Sequence, residues 1–306
     1  MYFLKILENY KNLGNNQATL SIALAFAVIA ISFAAIFIRL SDAPSLTIAF
    51  FRLFISLIIL TPHLIINRNQ FRLLTISDLA GMGISGFFLA GHFYLWITSL
   101  EHAPVSVSVI LVSVHPAMVA LAGYFFLGDK IPKRFFLSMT LVLMGTAAIA
   151  SESITAFTEG STELRGAMMA LGGAAMMAGY LLVGRRLRQS LTTTIYVSGT
   201  YSAAAFLLFL TAIITRTALT GYPVQEYLLF IALAIIPTLL GHTVFNWALK
   251  KVRASLISLL YLGEPLGATL LAFFILRELP TNLQASGSLI ILIGLYLVIK
   301  SESSSA

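Results

Sequence analysis

The chain is dominated by long apolar stretches that contain no charged residue. Asp, Glu, Lys and Arg are absent, for example, from residues 79–100, 102–128, 189–215, 227–249 and 279–299. At a rise of about 1.5 Å per residue, each is long enough to cross the roughly 30 Å hydrocarbon core of a bilayer as an α-helix. The apolar residues run continuously and do not alternate with polar ones, so the pattern favours helices over the strands of a membrane barrel.

Turn and charge signals divide the chain into ten predicted membrane-spanning helices. These are expected near residues 19–40, 45–66, 76–98, 104–126, 134–150, 165–184, 193–215, 227–249, 254–276 and 283–300. Their boundaries coincide with Pro, Gly, Asn and charged residues, which are typical of turns. The connecting loops are short and leave no room for a soluble domain. The predicted fold is therefore an all-α integral membrane protein.

The composition supports lipid as the main solvent of this chain. Apolar residues make up 58% and charged residues 10%, whereas soluble proteins carry about 25% charged residues. The mean hydropathy of +0.93 agrees with this difference. The chain contains no cysteine, which excludes disulfides, thiolate metal sites and cysteine nucleophiles. We predict neither a cofactor nor a bound metal.

Positive charge is distributed unevenly between the two sides of the predicted bundle. Of the 19 Lys and Arg residues, fourteen fall on the side that holds the N-terminus, four on the other side and one within a span. The positive-inside rule therefore predicts an inner (plasma) membrane protein with both termini in the cytoplasm. This bias accounts for the net charge of +7 without a nucleic-acid partner. Residues 1–18 and 301–306 are expected to be cytoplasmic tails, and the first lacks a signal-peptide cleavage site.

The two halves of the chain carry the same landmarks in the same order. Three of them recur at an offset of 149 or 150 residues: Gly91-His92 with Gly241-His242, His115-Pro116 with Glu264-Pro265, and Asp129 with Glu278. The halves, 19–152 and 153–300, each hold five predicted helices. Because five is an odd number, the second half enters the membrane from the opposite side. Inverted repeats of this kind are typical of secondary transporters, whose substrate site lies near the midplane between the repeats.

Several segments resemble the drug/metabolite transporter superfamily, specifically its EamA-type exporters. The resembling segments are Ala49–Leu53, with the sequence AFFRL, the stretch from Ala103 to Asp129, and the stretch from Arg253 through Glu264-Pro265 to Glu278. The resemblance covers nearly the whole chain beyond residue 18. It implies ten helices arranged as two inverted five-helix repeats around a central cavity. It also implies export of a small metabolite, with aromatic amino acid exporters as similar members.

Two ionisable residues are expected deep within the membrane. Glu264 lies roughly 15 Å and His115 roughly 17 Å into their predicted spans, at equivalent positions of the two repeats. Ionisable groups at such depth are expensive and usually functional. We interpret the pair as lining the substrate cavity, where it binds a polar group and carries a coupling proton. The alternative is a helix-packing hydrogen bond that holds the repeats together.

A set of aromatic and polar side chains is expected on the same cavity wall. Trp96 follows His92 by four residues and Asn246 follows His242 by four, so each pair shares a helix face. Tyr261 precedes Glu264 by three residues and shares its face as well. Such walls suit an amphipathic organic molecule. As an alternative, Trp96 and Trp247 are residues of the interfacial aromatic belt, since both lie near helix ends.

Arg52 is the basic residue that falls within a span, about 10 Å from its outer end. We interpret it as structural, either snorkelling along its own helix or paired with an acidic group. A contact with a substrate anion is the alternative.

The sequence thus predicts a secondary transporter that exports a small metabolite, such as an amino acid, by alternating access. An uptake or exchange carrier for a nucleoside-like or cationic metabolite is the main alternative, and an intramembrane enzyme that uses Glu264 and His115 is a distant one. The motifs of P-loop ATPases, serine hydrolases and zinc hydrolases are absent from the sequence. The expected partners are the substrate, membrane lipid and protons, and a homodimer is left open.

Overall fold

A computed structural model describes residues 17–66, 68–127, 133–158, 162–252, 257, 260–279 and 281–303. These residues form helices and contain no strand. The α-helices are α1 (Gln17–Ser32), α2 (Ala34–Arg39), α3 (Ser45–Ile66), α4 (Ile76–His102), α5 (Val105–Val112), α6 (His115–Leu127), α7 (Lys133–Thr158), α8 (Glu163–Leu187), α9 (Thr193–Thr215), α10 (Val224–Leu233), α11 (Thr243–Ala248), α12 (Gly263–Leu271) and α13 (Asn282–Ser303). The other helical segments are a 3₁₀ helix (Arg68–Leu73) and two π-helical segments, π1 (Ala234–His242) and π2 (Ala272–Leu276).

Within the described ranges, six helical stretches are long and apolar enough to cross a membrane. They are Thr19–Arg39, Ser45–Ile66, Ile76–His102, Leu164–Leu187, Thr193–Thr215 and Val224–Ala248. Each coincides with a predicted span to within a few residues, so these six predictions are confirmed as helices. The other four predicted spans also fall on helices, namely α5 with α6, α7, α12 with π2, and α13. A total of ten crossings stays a prediction.

Local sequence explains the ends of α4. The hydroxyl of Thr75 accepts a bond from the backbone nitrogen of Asp78 at 3.1 Å, and the Asp78 carboxylate accepts one from the Thr75 backbone nitrogen at 3.0 Å. This reciprocal capping box satisfies two backbone donors at the start of the helix. At the other end, the backbone of Ala103 is extended before Pro104, as the proline ring requires of the residue that precedes it.

The helices pack with pseudo-twofold symmetry. The third helix of the first half, α4, lies along the first helix of the second half, α8. In the same way, the third helical stretch of the second half lies along α1. This stretch contains π1 and α11. The second helices of the two halves, α3 and α9, contact each other, as do the fifth helices, α7 and α13. This exchange of equivalent partners brings α3, α4 and π1 together in the middle of the molecule.

Glycines allow two of these helix pairs to approach closely. A Cβ atom at Gly86 of α4 would lie 2.9 Å from the backbone nitrogen of Ala204 in α9. A Cβ atom at Gly173 of α8 would lie 3.3 Å from the backbone nitrogen of Trp96 in α4. Small residues serve the same purpose in many membrane helix pairs.

Candidate substrate-binding site

The break between α5 and α6 determines the orientation of His115. Pro116 has no N–H group, so the carbonyl of Val112, four residues earlier, receives no helical hydrogen bond from it. The Nδ1 atom of His115 lies 3.0 Å from that carbonyl oxygen. Because a carbonyl only accepts, Nδ1 carries the proton and donates. The opposite ring nitrogen, Nε2, is buried without a hydrogen-bond partner in the described structure.

A second proline acts in the same way within π1. Pro237 leaves the carbonyl of Leu233 without its usual helical donor, and the hydroxyl of Thr238 donates to that carbonyl at 2.7 Å. The same hydroxyl oxygen accepts a hydrogen bond from Nε of Arg52 at 3.1 Å. Wide π turns occur frequently at functional sites. Through the hydroxyl of Thr238, π1 is connected directly to the buried side chain of Arg52.

Arg52 is held on one side by Thr238 and on another by an aromatic ring. Its guanidinium carbon lies 3.8 Å from the centroid of the Phe93 ring in α4, a cation–π geometry. Its relative exposure is 0%, so the predicted snorkelling along its own helix is wrong. The terminal nitrogens Nη1 and Nη2 are buried and have no hydrogen-bond partner in the described part of the chain.

Five of the predicted site residues form one connected cluster. The rings of His92 and Trp96 stack with a centroid distance of 5.9 Å and an interplanar angle of 8°. The ring of His242 lies 6.3 Å from that of His92, and its Nδ1 atom is hydrogen-bonded to the Tyr261 hydroxyl at 3.1 Å. The ring of His115 lies 5.5 Å from that of Tyr261. The structure thus joins α4, π1, α6 and the residues before α12 around these rings.

Glu264 lies at the start of α12, directly before Pro265, and is 9% exposed. Its carboxylate interacts electrostatically with Arg52 and with Tyr261. The carboxylate and the guanidinium are not in ion-pair contact with each other. The predicted pairing of Arg52 with an acidic group is therefore an interaction through space and not a salt bridge.

The cluster and the neighbouring Arg52 contain hydrogen-bond donors and an acceptor that have no partner among the described residues. Donors are available at Nη1 and Nη2 of Arg52 and at Nε1 of Trp96, and an acceptor is available at Nε2 of His115. Leaving a buried polar group unpaired costs about 1–3 kcal/mol, and more if it is charged. Buried polar groups without a partner require an explanation. A bound polar molecule would supply partners for both the donors and the acceptor.

The hydrogen-bond partners of Asn246 lie outside this cluster. Its side-chain amide donates to the hydroxyl of Tyr180, and its backbone carbonyl accepts from Nε of Arg188 at 2.9 Å. Arg188 also donates to the Thr193 hydroxyl at 2.7 Å. Burial lowers the pKa of Arg188 to about 10, so it stays charged at neutral pH. We call this end of the bundle the Arg188 end.

The two tryptophans have different surroundings. Trp96 is buried, with 2% exposure, so the belt interpretation is wrong for this residue. Trp247 lies one helical turn from Lys251, whose Nζ atom is 4.9 Å from the centroid of the indole ring. That contact with a terminal cation is compatible with an interfacial position for Trp247.

The opposite end of the bundle, which we call the Arg39 end, is closed by polar contacts. Arg39 forms a 3.2 Å ion pair with Glu278 and donates to the carbonyl of Leu100 at 2.9 Å. The carboxylate of Glu226 accepts a bond from the backbone nitrogen of Asp42 at 2.9 Å. These contacts attach the loop after α2 to the ends of α4, π2 and α10.

Glu101 completes the closure at the start of α3. Its carboxylate accepts hydrogen bonds from both the backbone nitrogen, at 3.2 Å, and the hydroxyl of Ser45. A carboxylate at a helix N-terminus is favourable, because it meets free backbone donors. A cavity of about 110 Å³ lies among these contacts, and its lining includes Arg39, Ser45, Ile97 and Glu101.

Sequence reasoning missed two residues of the site, Thr238 and Phe93. The signal for Thr238 is Pro237 directly before it, which parallels His115 and Pro116 with the polar residue on the other side of the proline. Phe93 follows His92 in the recurring Gly-His motif, but nothing in its local sequence indicates a charged partner.

Comparisons with known proteins agree on the type of protein. The EamA-like transporter family matches residues 17–151 and 164–300 of the chain. Over 69 residues the chain is 31% identical to the probable 4-amino-4-deoxy-L-arabinose-phosphoundecaprenol flippase subunit ArnE of Hamiltonella defensa subsp. Acyrthosiphon pisum, covering 22% of this chain and 62% of that protein. Over 202 residues it is 23% identical to the uncharacterized transporter sll1319 of Synechocystis sp., covering 66% of this chain and 61% of that protein. The matched regions span about six tenths of each relative.

A solved crystal structure, described only as that of a protein, shares this fold. It superposes with a TM-score of 0.69 over 92% of this chain and 97% of its own, at 19% sequence identity. At that identity the likeness shows the fold alone. The two stretches that match the family, in contrast, cover most of the chain and correspond to its two repeats. The chain is therefore a multi-pass membrane protein that belongs to the EamA-like transporter family.

Proposed function

We propose that this protein is a secondary active transporter of the inner membrane that exports a small amphipathic metabolite, such as an amino acid, by alternating access. One observation carries the proposal. Five buried side chains lie near the points where helices of both repeats are interrupted: His92, His115, His242, Tyr261 and Glu264. Polar groups at membrane depth with aromatic surroundings suit a ligand that has a polar head and an apolar body.

Alternating access is supported by the way the repeats pack. Each half contributes the same helices to the interface in exchanged roles, so a rocking of one half against the other exposes the centre to one side at a time. The Arg39 end is closed by the ion pair between Arg39 and Glu278. The positive-inside rule places that end outside the cell. In this arrangement, export requires the Arg39 end to open after the substrate binds.

Coupling to protons is assigned to Glu264. It is the carboxylate closest to the centre in the sequence pattern, and it interacts with Arg52 on α3 and with Tyr261 on its own segment. His115 and His242, on facing segments, both contact the Tyr261 ring or hydroxyl. A carboxylate in such surroundings exchanges a proton when a charged substrate arrives or leaves, since either event changes the local field.

Reconstitution into proteoliposomes tests this function. The purified protein is loaded with labelled amino acids, nucleosides and organic cations in turn, and efflux is measured with and without a proton gradient. We expect saturable, gradient-dependent efflux of at least one amino acid. Flux of nucleosides or cations alone would favour the uptake or exchange carrier, and the absence of any flux would contradict a transporter that acts by itself.

The similarity to a flippase subunit supports a second candidate function. The relative's name assigns it to translocation of a lipid-linked amino sugar, and the aligned part corresponds to 22% of this chain. Translocation of a lipid-linked headgroup would use the same central polar cluster. Scrambling of a fluorescent lipid-linked sugar in the same vesicles tests it, and the panel of water-soluble metabolites provides the matched comparison.

A further inference from the structure

The free end of the Arg52 guanidinium is the largest unused binding capacity in the described structure. Nη1 and Nη2 are both buried and unpartnered. We propose that these two nitrogens form the subsite for the carboxylate of the transported molecule. The inference rests on the proposed function, because it assigns one end of the substrate within the same central cluster.

The side chain of Arg52 is held in a single orientation. Nε donates to Thr238 at 3.1 Å, and the guanidinium lies 3.8 Å above the ring of Phe93. The backbone carbonyl of Arg52 accepts from Ser56 at 2.6 Å, and the same hydroxyl lies 3.2 Å from the carbonyl of Ala234 in π1. The anchored guanidinium therefore presents its Nη groups as a fixed pair. A carboxylate accepts two parallel hydrogen bonds from such a pair.

A second buried arginine shows what a purely structural role looks like in this chain. Arg188 donates through Nε to the carbonyl of Asn246 at 2.9 Å, through Nη2 to Thr193 at 2.7 Å, and through Nη1 to the carbonyl of Leu191. All three of its nitrogens are used. Arg52 is equally inaccessible, with 0% exposure, yet only its Nε has a partner. The difference indicates that the partner of the Nη groups arrives from outside the chain.

Charge balance favours a zwitterion over a simple anion. Arg52 interacts electrostatically with Glu264, but the two groups are not in contact. A molecule with a carboxylate at Arg52 and an ammonium group towards Glu264 adds no net charge to a buried site. Opposite an ionised Glu264, a monoanion or a simple amine leaves one charge uncompensated, which is costly within a membrane. The expected substrate class is therefore a free α-amino acid.

Ligand-dependent thermal stability of the purified full chain in detergent tests the subsite. The probes are L-amino acids, each compared with its methyl ester and its decarboxylated amine, which keep the side chain and remove the carboxylate charge. We expect at least one free acid to raise the unfolding temperature. We also expect its ester and amine to bind about 10- to 100-fold more weakly, as for the loss of hydrogen bonds to a charged group.

Three variants determine whether Arg52 is responsible. Arg52→Met is expected to weaken binding of the acid by about 10- to 100-fold and to leave the amine unaffected. Arg52→Lys keeps the charge but loses the paired geometry, so it is expected to bind the acid with intermediate affinity. This variant replaces Arg52→Met in the test if the Met variant does not fold. Arg188→Met is the matched control, which is expected to lower the unfolding temperature without changing the preference for the acid.

The proposal is overturned if no free acid stabilises the protein, if esters and amines bind as tightly as acids, or if both Arg52 variants keep the full preference. Its failure is distinguishable from failure of the proposed function. Acids that bind without flux in proteoliposomes contradict the transport function and leave the subsite standing. Flux of amines or nucleosides without acid binding supports transport and removes the subsite.

Discussion

The Arg39 end and the centre of this protein both contain charged side chains, but the two regions differ in how these charges are partnered. At the Arg39 end, Arg39 is bonded to Glu278 and Leu100, and Glu101 is bonded to Ser45. In the centre, Arg52 keeps two nitrogens without a partner. Partnered charges hold helices together, whereas unpartnered ones are open to a ligand. We therefore assign closure to the first region and substrate binding to the second.

The two proline-linked positions of the centre share one arrangement and differ in how far it extends. Pro116 and Pro237 each free a backbone carbonyl, and a side chain next to the proline occupies each one. His115 is oriented directly by its carbonyl, while Thr238 passes the orientation on to Arg52. Both breaks thus present a polar nitrogen towards the interior, and the carbonyl that each proline frees has a hydrogen-bond partner.

The side of the membrane on which the Arg39 end lies depends on the topology of the chain. A test of the topology therefore has one of two opposite results. Reporter fusions after Lys300 and within residues 185–191 are expected in the cytoplasm, and one near Thr158 outside, because of the bias in Lys and Arg. Alkaline phosphatase and fluorescent-protein activities measure this directly. A C-terminus outside the cell would place the Arg39 end in the cytoplasm and reverse the proposed direction of opening.

Glu264→Gln is expected to have the largest effect on activity. Gln keeps the shape and hydrogen bonding but removes the charge, so pH-driven net transport is abolished while substrate binding remains detectable. Initial rates across about pH 5.5 to 8 measure the coupling. Glu101→Gln, a carboxylate bonded to Ser45 at the Arg39 end, is the control and is expected to keep the wild-type pH profile. An unchanged profile for Glu264→Gln would show that the residue packs helices and does not couple protons.

His115→Phe is expected to weaken substrate binding by about 10-fold, because it removes the free acceptor at Nε2 and retains an aromatic ring. The ring contact with Tyr261, at 5.5 Å between centroids, is preserved by the substitution. Binding by thermal shift provides the measurement. His63→Phe, outside the cluster, is the comparison variant. Equal affinities for both variants and the wild type would remove His115 from the site.

Arg39→Gln is expected to have the smallest effect on stability and a measurable effect on opening. Its ion pair with Glu278 is about one third exposed on each side, and such pairs contribute at most about 1 kcal/mol. Because the chain has no cysteine, Ile97→Cys in the lining of the cavity at this end can report opening. We expect an impermeant maleimide to label Ile97→Cys several times faster in the Arg39→Gln background. Equal labelling rates would mean that the ion pair does not hold this end closed.

The helices and their membrane character were predictable from the sequence by itself. Continuous apolar runs specify helices because lipid leaves backbone groups no partner outside their own segment. The offset of 149 or 150 residues identified equivalent positions, and the helical rise placed His115 and Glu264 at depth before any contact was known. Stacking of His92 on Trp96 follows from their spacing of four residues.

Only the tertiary structure decided which of these groups have partners. Arg52 meets Thr238 across a separation of 186 residues, and Asn246 meets Tyr180 across 66. Neither contact leaves a local signal, because side chains on different helices meet through the packing of whole segments. The sequence pattern grouped Asn246 with His242, and only the structure shows that Asn246 bonds to Tyr180 and Arg188. Only the three-dimensional structure shows that Nη1 and Nη2 of Arg52 have no partner among the described residues. The reason is that the presence or absence of a partner depends on every helix packed around this side chain.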